Sequence, residues 1–267
     1  MLLDLLKDKI VLITGASSGI GKCIAKDLSL YKLKSMVLVS RTKNKLEHSI
    51  DTDMKDQGLD IFPISCDIGN KEDVKKMSNL VFDRYGYIDV LINNAGIGIF
   101  KKVADTSLEE IEKVSFTNYF GMIYCTKSFL PYMLKRNTGH IINIASLAAS
   151  FGIPGMAAYC GSKFAMLGFS ESLYYELKKT GVKITVISPI GVKTNFFNNE
   201  YFDYSAPTKY VLEPKKVSNA VFSSFLSNKF QIFVPSIAGS APLIKNCFPH
   251  LVNYFVEKQF NKKKLEF

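Results

Sequence analysis

The sequence predicts one α/β domain on a doubly wound parallel sheet of about seven strands, with helices on both faces. Three observations carry that prediction. Strand-like apolar runs alternate with helical segments along the chain. Most of those runs are continuous instead of alternating, as in strands buried on both faces. A glycine-rich turn joins the first run to the first helix. With 267 residues, 47% of them hydrophobic, the chain can fill one large core. It shows no internal repeat, low-complexity stretch or Pro/Gly/Ser linker, so residues 1–267 read as a single domain with a helical extension at about 240–267.

Taken in order, the strands are expected at Ile10–Thr14, Ser35–Ser40, Ile61–Ser65, Val90–Asn93, His140–Ala145, Lys183–Ser188 and Gln231–Val234. Helices are expected near Ile20–Leu30, Lys45–Asp56, Lys71–Tyr85, Leu108–Leu134, Ala157–Lys179 and Pro214–Leu226. In such a sheet ligands bind outside the carboxyl ends of the strands. Chemistry is therefore expected at residues that follow strands: Gly15, Arg41, Asp67, Asn94, Ser146 and Pro189.

Thr14-Gly15-Ala16-Ser17-Ser18-Gly19-Ile20-Gly21 follows the first strand and opens the first helix. Its glycines permit a tight turn and close approach to a pyrophosphate, whose charge the helix N-terminus attracts. An ordinary glycine-rich strand–helix turn is the alternative. Arg41, after the second strand, occupies the place where an acid would bind the 2′-hydroxyl of NAD. Ser40-Arg41-Thr42-Lys43 instead offers cations and hydroxyls suited to a 2′-phosphate, so NADP(H) is expected in preference to NAD(H). A solvated arginine is the competing reading. Asp67 can accept from an adenine amino group or cap a helix. Asn93-Asn94-Ala95-Gly96 suits a strand end beside a dinucleotide, or a simple turn.

Tyr159 and Lys163 stand four apart on a helix and share a face. A phenol beside an ammonium can act as an acid–base group, its pKa lowered by the positive charge. Ser146 lies thirteen residues before Tyr159 at the end of an apolar run. Asn118 interrupts a long predicted helix, where asparagine is a poor former. It reads as a water anchor or as a tolerated flaw.

Together these motifs, from Thr14 to Thr194, resemble the short-chain dehydrogenase/reductase family, of the single-domain Rossmann-type fold. The resemblance implies a catalytic set of Asn118, Ser146, Tyr159 and Lys163. It implies cofactor contacts from Gly15, Ser17, Ser18, Gly19, Ile20, Gly21, Arg41, Asp67, Ile68, Asn94, Ala95, Gly96, Tyr159, Lys163, Pro189, Val192 and Thr194. Ser188-Pro189-Ile190-Gly191-Val192-Lys193-Thr194 matches the family's nicotinamide-side loop, with Ile190 where the family usually has glycine. The implied reaction is NADPH-dependent reduction of a carbonyl, such as a ketone or 3-oxoacyl thioester, by hydride transfer. The alternative is an NAD(P)-dependent alcohol or hydroxysteroid dehydrogenase. In the implied mechanism Ser146 orients the substrate oxygen and Tyr159 exchanges the proton. Lys163 lowers the Tyr159 pKa and grips the ribose, and Asn118 holds a relay water. Pairing of the helices near Leu108–Leu134 and Ala157–Lys179 into a homodimer or homotetramer is also implied.

Other function classes fit less well. A non-catalytic nucleotide-binding scaffold would not need the Ser-Tyr-Lys set. The net charge of +10 is spread over helix faces, with no aromatic-plus-basic stripe, so no nucleic-acid partner is expected. Three histidines without ligand spacing argue against a metal. Five scattered cysteines (Cys23, Cys66, Cys125, Cys160, Cys247) suit free thiols and a cytoplasmic location, and Cys160 reads as a small helix residue. No uninterrupted apolar run reaches the roughly 18 residues of a membrane span. The opening Met-Leu-Leu-Asp-Leu-Leu-Lys is too short, and acidic too early, for a secretory signal.

Phe196, Phe197, Tyr201, Phe202 and Tyr204 suit an apolar substrate, or a lid packed on the core. Ile244, Phe248, Leu251, Val252, Phe255, Val256 and Phe260 recur at helical spacing before Lys262–Lys264, with Pro249 in a first turn. Packing on the chain's own domain, a dimer contact and an interfacial membrane helix compete there, the first two being favoured over the third.

Overall fold

The computed structural model describes residues 2–50, 54, 58–194, 196 and 211–261. Seven parallel strands form one sheet: β1 (Ile10–Thr14), β2 (Ser35–Ser40), β3 (Asp60–Ser65), β4 (Val90–Asn93), β5 (Gly139–Ile144), β6 (Val182–Pro189) and β7 (Gln231–Val234). Their order is β3-β2-β1-β4-β5-β6-β7. The order reverses between β1 and β4, which opens a crevice at their carboxyl ends.

The helices among the described residues are α1 (Leu2–Leu6), α2 (Gly19–Leu28), α3 (Lys43–Ser49), α4 (Lys71–Tyr85), α5 (Leu108–Ser115), α6 (Gly121–Arg136), α7 (Ala157–Leu177), α8 (Pro214–Phe225), α9 (Ala241–Cys247) and α10 (Pro249–Asn261). The pleat of β1 sends Val11 and Ile13 to one face and Ile10 and Leu12 to the other. The first pair packs with Ile24 and Leu28 of α2 and Val217 and Val221 of α8. The second packs with Val81 of α4, Phe129 and Met133 of α6 and Leu173 of α7. This burial on both faces is what the continuous apolar runs anticipated, and each fully buried large side chain contributes about 1.5–3 kcal/mol. Asp27 of α2 accepts hydrogen bonds from Lys215 and Ser218 of α8, which locks the first layer.

Local signals fix the helix ends. Asn70 caps α4 by accepting from the Glu72 and Asp73 amides, and Gly86 ends it at φ +76°. Ser107 and Glu110 form a capping box at α5.

Three expectations need correction. The helix expected over Leu108–Leu134 is helical throughout but not regular: a π-turn at Phe116–Phe120 joins α5 to α6, and Gly121 N–H reaches back to the Phe116 carbonyl. Asp67 does not cap the following helix, because Asn70 holds that place. The C-terminal periodic segment forms two helices that break at Phe248, with Pro249 opening the second. Its own domain covers it only in part: Lys245 reaches the Ser150 carbonyl and Val252 and Val256 are half-buried, but Leu243, Ile244, Phe248, Leu251 and Tyr254 stay exposed, and the side chains of Phe255 and Phe260 lie outside the described residues. No helix among the described residues is long and apolar enough to cross a membrane.

Candidate active site

The crevice is stitched at its base by Thr14. Its hydroxyl donates to the Ile92 carbonyl and accepts from the amides of Asn94 (3.0 Å) and Ala95 (3.1 Å). Asn94 Nδ2 returns bonds to the carbonyls of Thr14 (2.9 Å) and Gly15 (3.2 Å). Two glycines are required by this closeness. A Cβ on Gly15, at φ +67°, would lie 2.7 Å from Ala95 Cα, and one on Gly21 would lie 2.3 Å from the Gly15 carbonyl oxygen. Helix α2 then starts with no side-chain cap from Ser18 and no acid in its first turn. That leaves a helix N-terminus suited to an anion, and the turn fits a dinucleotide pyrophosphate. Ser17 and Ile20 are half-buried beside it, and Ser18 is exposed.

Arg41 is exposed just beyond β2, its carbonyl accepting from Ser65 Oγ at 2.9 Å. Lys43 pairs with Glu47 at 3.8 Å on the surface of α3. Asp67 Oδ1 accepts from Gly69 N–H at 3.0 Å, while Ile68 is buried against Gly121. Gly96 runs beside the reacting groups: a Cβ there would meet Asn118 Oδ1 at 3.2 Å and Lys163 Nζ at 3.7 Å.

Ser146 follows β5. Its hydroxyl accepts from Ala148 N–H at 3.1 Å and donates to the Pro189 carbonyl at 3.4 Å, a long bond that a better acceptor can displace. Tyr159 and Lys163 occupy the first two turns of α7. Lys163 is 3% exposed and donates to the Ile144 carbonyl at 3.0 Å, with Nζ 5.7 Å from the Tyr159 ring centroid. Burial lowers the Lys163 pKa to about 8. Burial also pushes Tyr159 up to about 12, against the opposing hydrogen bond from Ser146. The expectation that Lys163 holds the phenol below its usual value is thus reversed in the protein alone. Desolvation of a buried phenolate outweighs the help of an ammonium that points at a backbone carbonyl.

Asn118 is buried and fully engaged by its amide nitrogen. Its Nδ2 donates to the Ile97 carbonyl (2.8 Å) and Ser162 Oγ (2.9 Å), and its Oδ1 accepts from Ile97 N–H (2.8 Å). Both amide hydrogens are committed inside the protein, so the side chain clamps the Gly96–Ile97 strand end. Ser162, absent from the sequence reading, donates to the Tyr159 carbonyl at 2.7 Å and links Asn118 to the acid–base helix. A deeper set was missed too: Asn93 Nδ2 donates to Asn143 Oδ1 (2.9 Å), and Asn143 Nδ2 to Ser170 Oγ (2.8 Å). A lone amide inside the apolar run Ile141-Ile142-Asn143-Ile144 was the available signal.

The loop after β6 closes the site. Ile190 N–H donates to the Val234 carbonyl at 3.0 Å, so isoleucine is accommodated against β7. Val192 is buried and bridges Leu212. Thr194 Oγ1 accepts from Phe196 N–H at 3.2 Å, and its methyl would stand 3.0 Å from a Cβ on Gly19. The Phe196 ring meets Tyr159 edge-on at 5.5 Å. Phe100, Ile153 and Met156 join them in an apolar wall. Phe197, Tyr201, Phe202 and Tyr204 lie outside the described residues. Cys160 is buried, and burial raises its pKa, so it is an inert thiol behind the wall.

Comparisons with known proteins agree with this geometry. The family model described as short chain dehydrogenase matches residues 9–204. Estradiol 17-beta-dehydrogenase 11 of Macaca fascicularis is 33% identical over 258 residues, spanning 96% of this chain and 84% of that protein. A short chain dehydrogenase/reductase of Burkholderia phymatum in complex with NAD superposes with a TM-score of 0.82 at 23% identity, over 92% of this chain and 95% of that one. An alcohol dehydrogenase from the archaeon Thermococcus sibiricus complexed with 5-hydroxy-NADP gives a TM-score of 0.76 at 27% identity, over 84% and 95%. The glycine turn, the Ser-Tyr-Lys cluster and these matches show that the chain belongs to the short-chain dehydrogenase/reductase family of NAD(P)-dependent oxidoreductases.

Proposed function

We propose that the protein is an NADPH-dependent reductase that converts an apolar carbonyl compound to its alcohol. The observation that carries this reading is the convergence of Ser146, Tyr159 and Lys163 beside an apolar wall, at the end of the sheet where the glycine turn lies. The bound nicotinamide supplies the hydride. The chain's own residues do the rest. Ser146 releases its long bond to Pro189 and donates to the substrate oxygen. Tyr159, a phenol throughout the neutral range because burial raises its pKa to about 12, gives its proton to the developing alkoxide. Lys163, beside Gly96, would hold the nicotinamide ribose, and Asn118 and Ser162 fix the two segments that carry these groups.

The exposed Arg41 and the lack of a carboxylate from Ser40 to Lys43 support NADP(H) over NAD(H). The wall of Phe100, Ile153, Met156 and Phe196 supports a bulky apolar substrate. A second reading, oxidation of a hydroxysteroid-like alcohol, is favoured by the estradiol dehydrogenase relative. In that direction Tyr159 would take the alcohol proton that it gives up in reduction. Phe116, Phe120 and Phe164, exposed on the π-turn and α7, support the family's helix-paired homodimer. Free cysteines support a cytoplasmic location. The test is a panel of ketones, aldehydes, acyl thioesters and the matching alcohols, run in both directions with each cofactor. Turnover only with alcohols and NAD would replace the reductase reading by the second one.

A further inference from the structure

Lys245 ties the C-terminal segment to the reacting end of the sheet. It stands on α9, and its ammonium donates to the Ser150 carbonyl at 2.7 Å. The same ammonium lies 5.3 Å from the Phe151 ring centroid and 5.6 Å from that of Phe164. Ser150 closes the short turn that Ser146 opens: its N–H donates to the Leu147 carbonyl (2.9 Å), and Ala149 N–H to the Ser146 carbonyl (3.0 Å). Phe164 directly follows Lys163 on α7. One half-buried cation therefore grips the chain on both sides of the site. Ring faces attract it electrostatically, and the charge-assisted bond to Ser150 is stronger than a neutral one.

From Ser150 the backbone runs without regular structure through Ile153 to Met156 before entering α7. Ile153 and Met156 are part of the apolar wall around Tyr159 and Phe196. The far end of this segment is held by α7 and by Lys101 N–H donating to the Gly155 carbonyl at 2.9 Å. The near end is held by Lys245. Resting on the reading of an oxidoreductase for apolar substrates, we infer that Lys245 is a positioning residue: it fixes the wall formed by Ser150–Met156 and so sets selectivity for large over small substrates. Ser146 and Lys163 keep their own bonds to Ala148 and Ile144, so the latch shapes the wall and not the acid–base groups.

The test compares wild type, Lys245→Met and Lys245→Arg on a short and a polycyclic ketone, together with hydrogen exchange of the Leu147–Met156 amides in the protein without substrate. Lys245→Met is expected to lower the ratio of kcat/KM for polycyclic over short ketone about tenfold, through KM, which corresponds to ~1.4 kcal/mol. The amides near Ser150–Ile153 should exchange faster, and Lys245→Arg should recover both properties. If Lys245→Met does not fold, Phe151→Leu removes one ring and should move both readouts the same way by less. An unchanged substrate ratio, or unchanged exchange in a folded variant, overturns the inference, as does a lower Tm with selectivity intact. Wild type that turns over no member of the carbonyl and alcohol panel refutes the underlying functional reading, while the exchange measurement still decides the latch.

Discussion

Replacing Lys163 with methionine should make the protein more stable at neutral pH while ending its turnover. The folded protein lowers the Lys163 pKa from 10.5 to about 8 because the charged form is buried. The sign follows from linkage: below pH 8 the folded state carries the charge at full cost, and the cost is relieved as pH rises from about 8 to 10.5. At about 1.4 kcal/mol per pH unit the penalty at pH 7 is about 3 kcal/mol. Methionine keeps the length of the side chain but forfeits the 3.0 Å bond to the Ile144 carbonyl, worth about 1 kcal/mol. A net gain of about 2 kcal/mol remains, which for a domain of this size raises Tm by roughly 5 °C. By pH 10 the penalty in wild type falls below about 1 kcal/mol, and the two proteins should melt together. The assay is thermal and urea unfolding at pH 7 and pH 10, on protein without cofactor. A variant less stable than wild type at pH 7, or an advantage that persists unchanged at pH 10, would show that Lys163 is not carried as a costly buried charge.

Arg41→Asp should raise the Michaelis constant for NADPH roughly ten- to a hundredfold, the value of a charge-assisted contact of about 1.5–3 kcal/mol, and improve use of NADH. Unchanged preference in steady-state kinetics would make Arg41 a solvated loop residue. Light scattering at micromolar concentration should give a dimer or tetramer that Phe120→Glu weakens, since Phe116, Phe120 and Phe164 expose rings on the helices proposed to pair. A wild-type monomer would count against that surface.

The sheet and its chemistry were legible in the sequence because each demands residue types at fixed places. Strands buried on both faces must be apolar throughout, as Val11 to Ile13 are. The glycine turn needs Gly15 and Gly21 where any Cβ would collide. Tyr159 and Lys163 need one helical turn between them. What stayed hidden depends on depth and fine backbone geometry. Phe116–Phe120 has helical periodicity, and nothing in its composition announces the wider π-turn that sets Asn118 against Ile97. The rise in the Tyr159 pKa follows from burial, which spacing alone does not report. Pro249 correctly marked a helix start, but the apolar repeat running across Phe248 concealed the break before it and gave no sign that so many of its side chains would lie outside the domain.

The central claim is that Tyr159 moves the proton while other residues hold the cofactor. A single-turnover experiment with Tyr159→Phe, paired with a titration of NADPH binding, tests it most directly, because the substitution removes one hydroxyl and keeps the ring that packs on Phe196. The account predicts NADPH binding within a few-fold of wild type and no oxidation of bound NADPH by a carbonyl substrate that wild type reduces. Near-normal turnover in Tyr159→Phe would contradict it and assign the proton to another group.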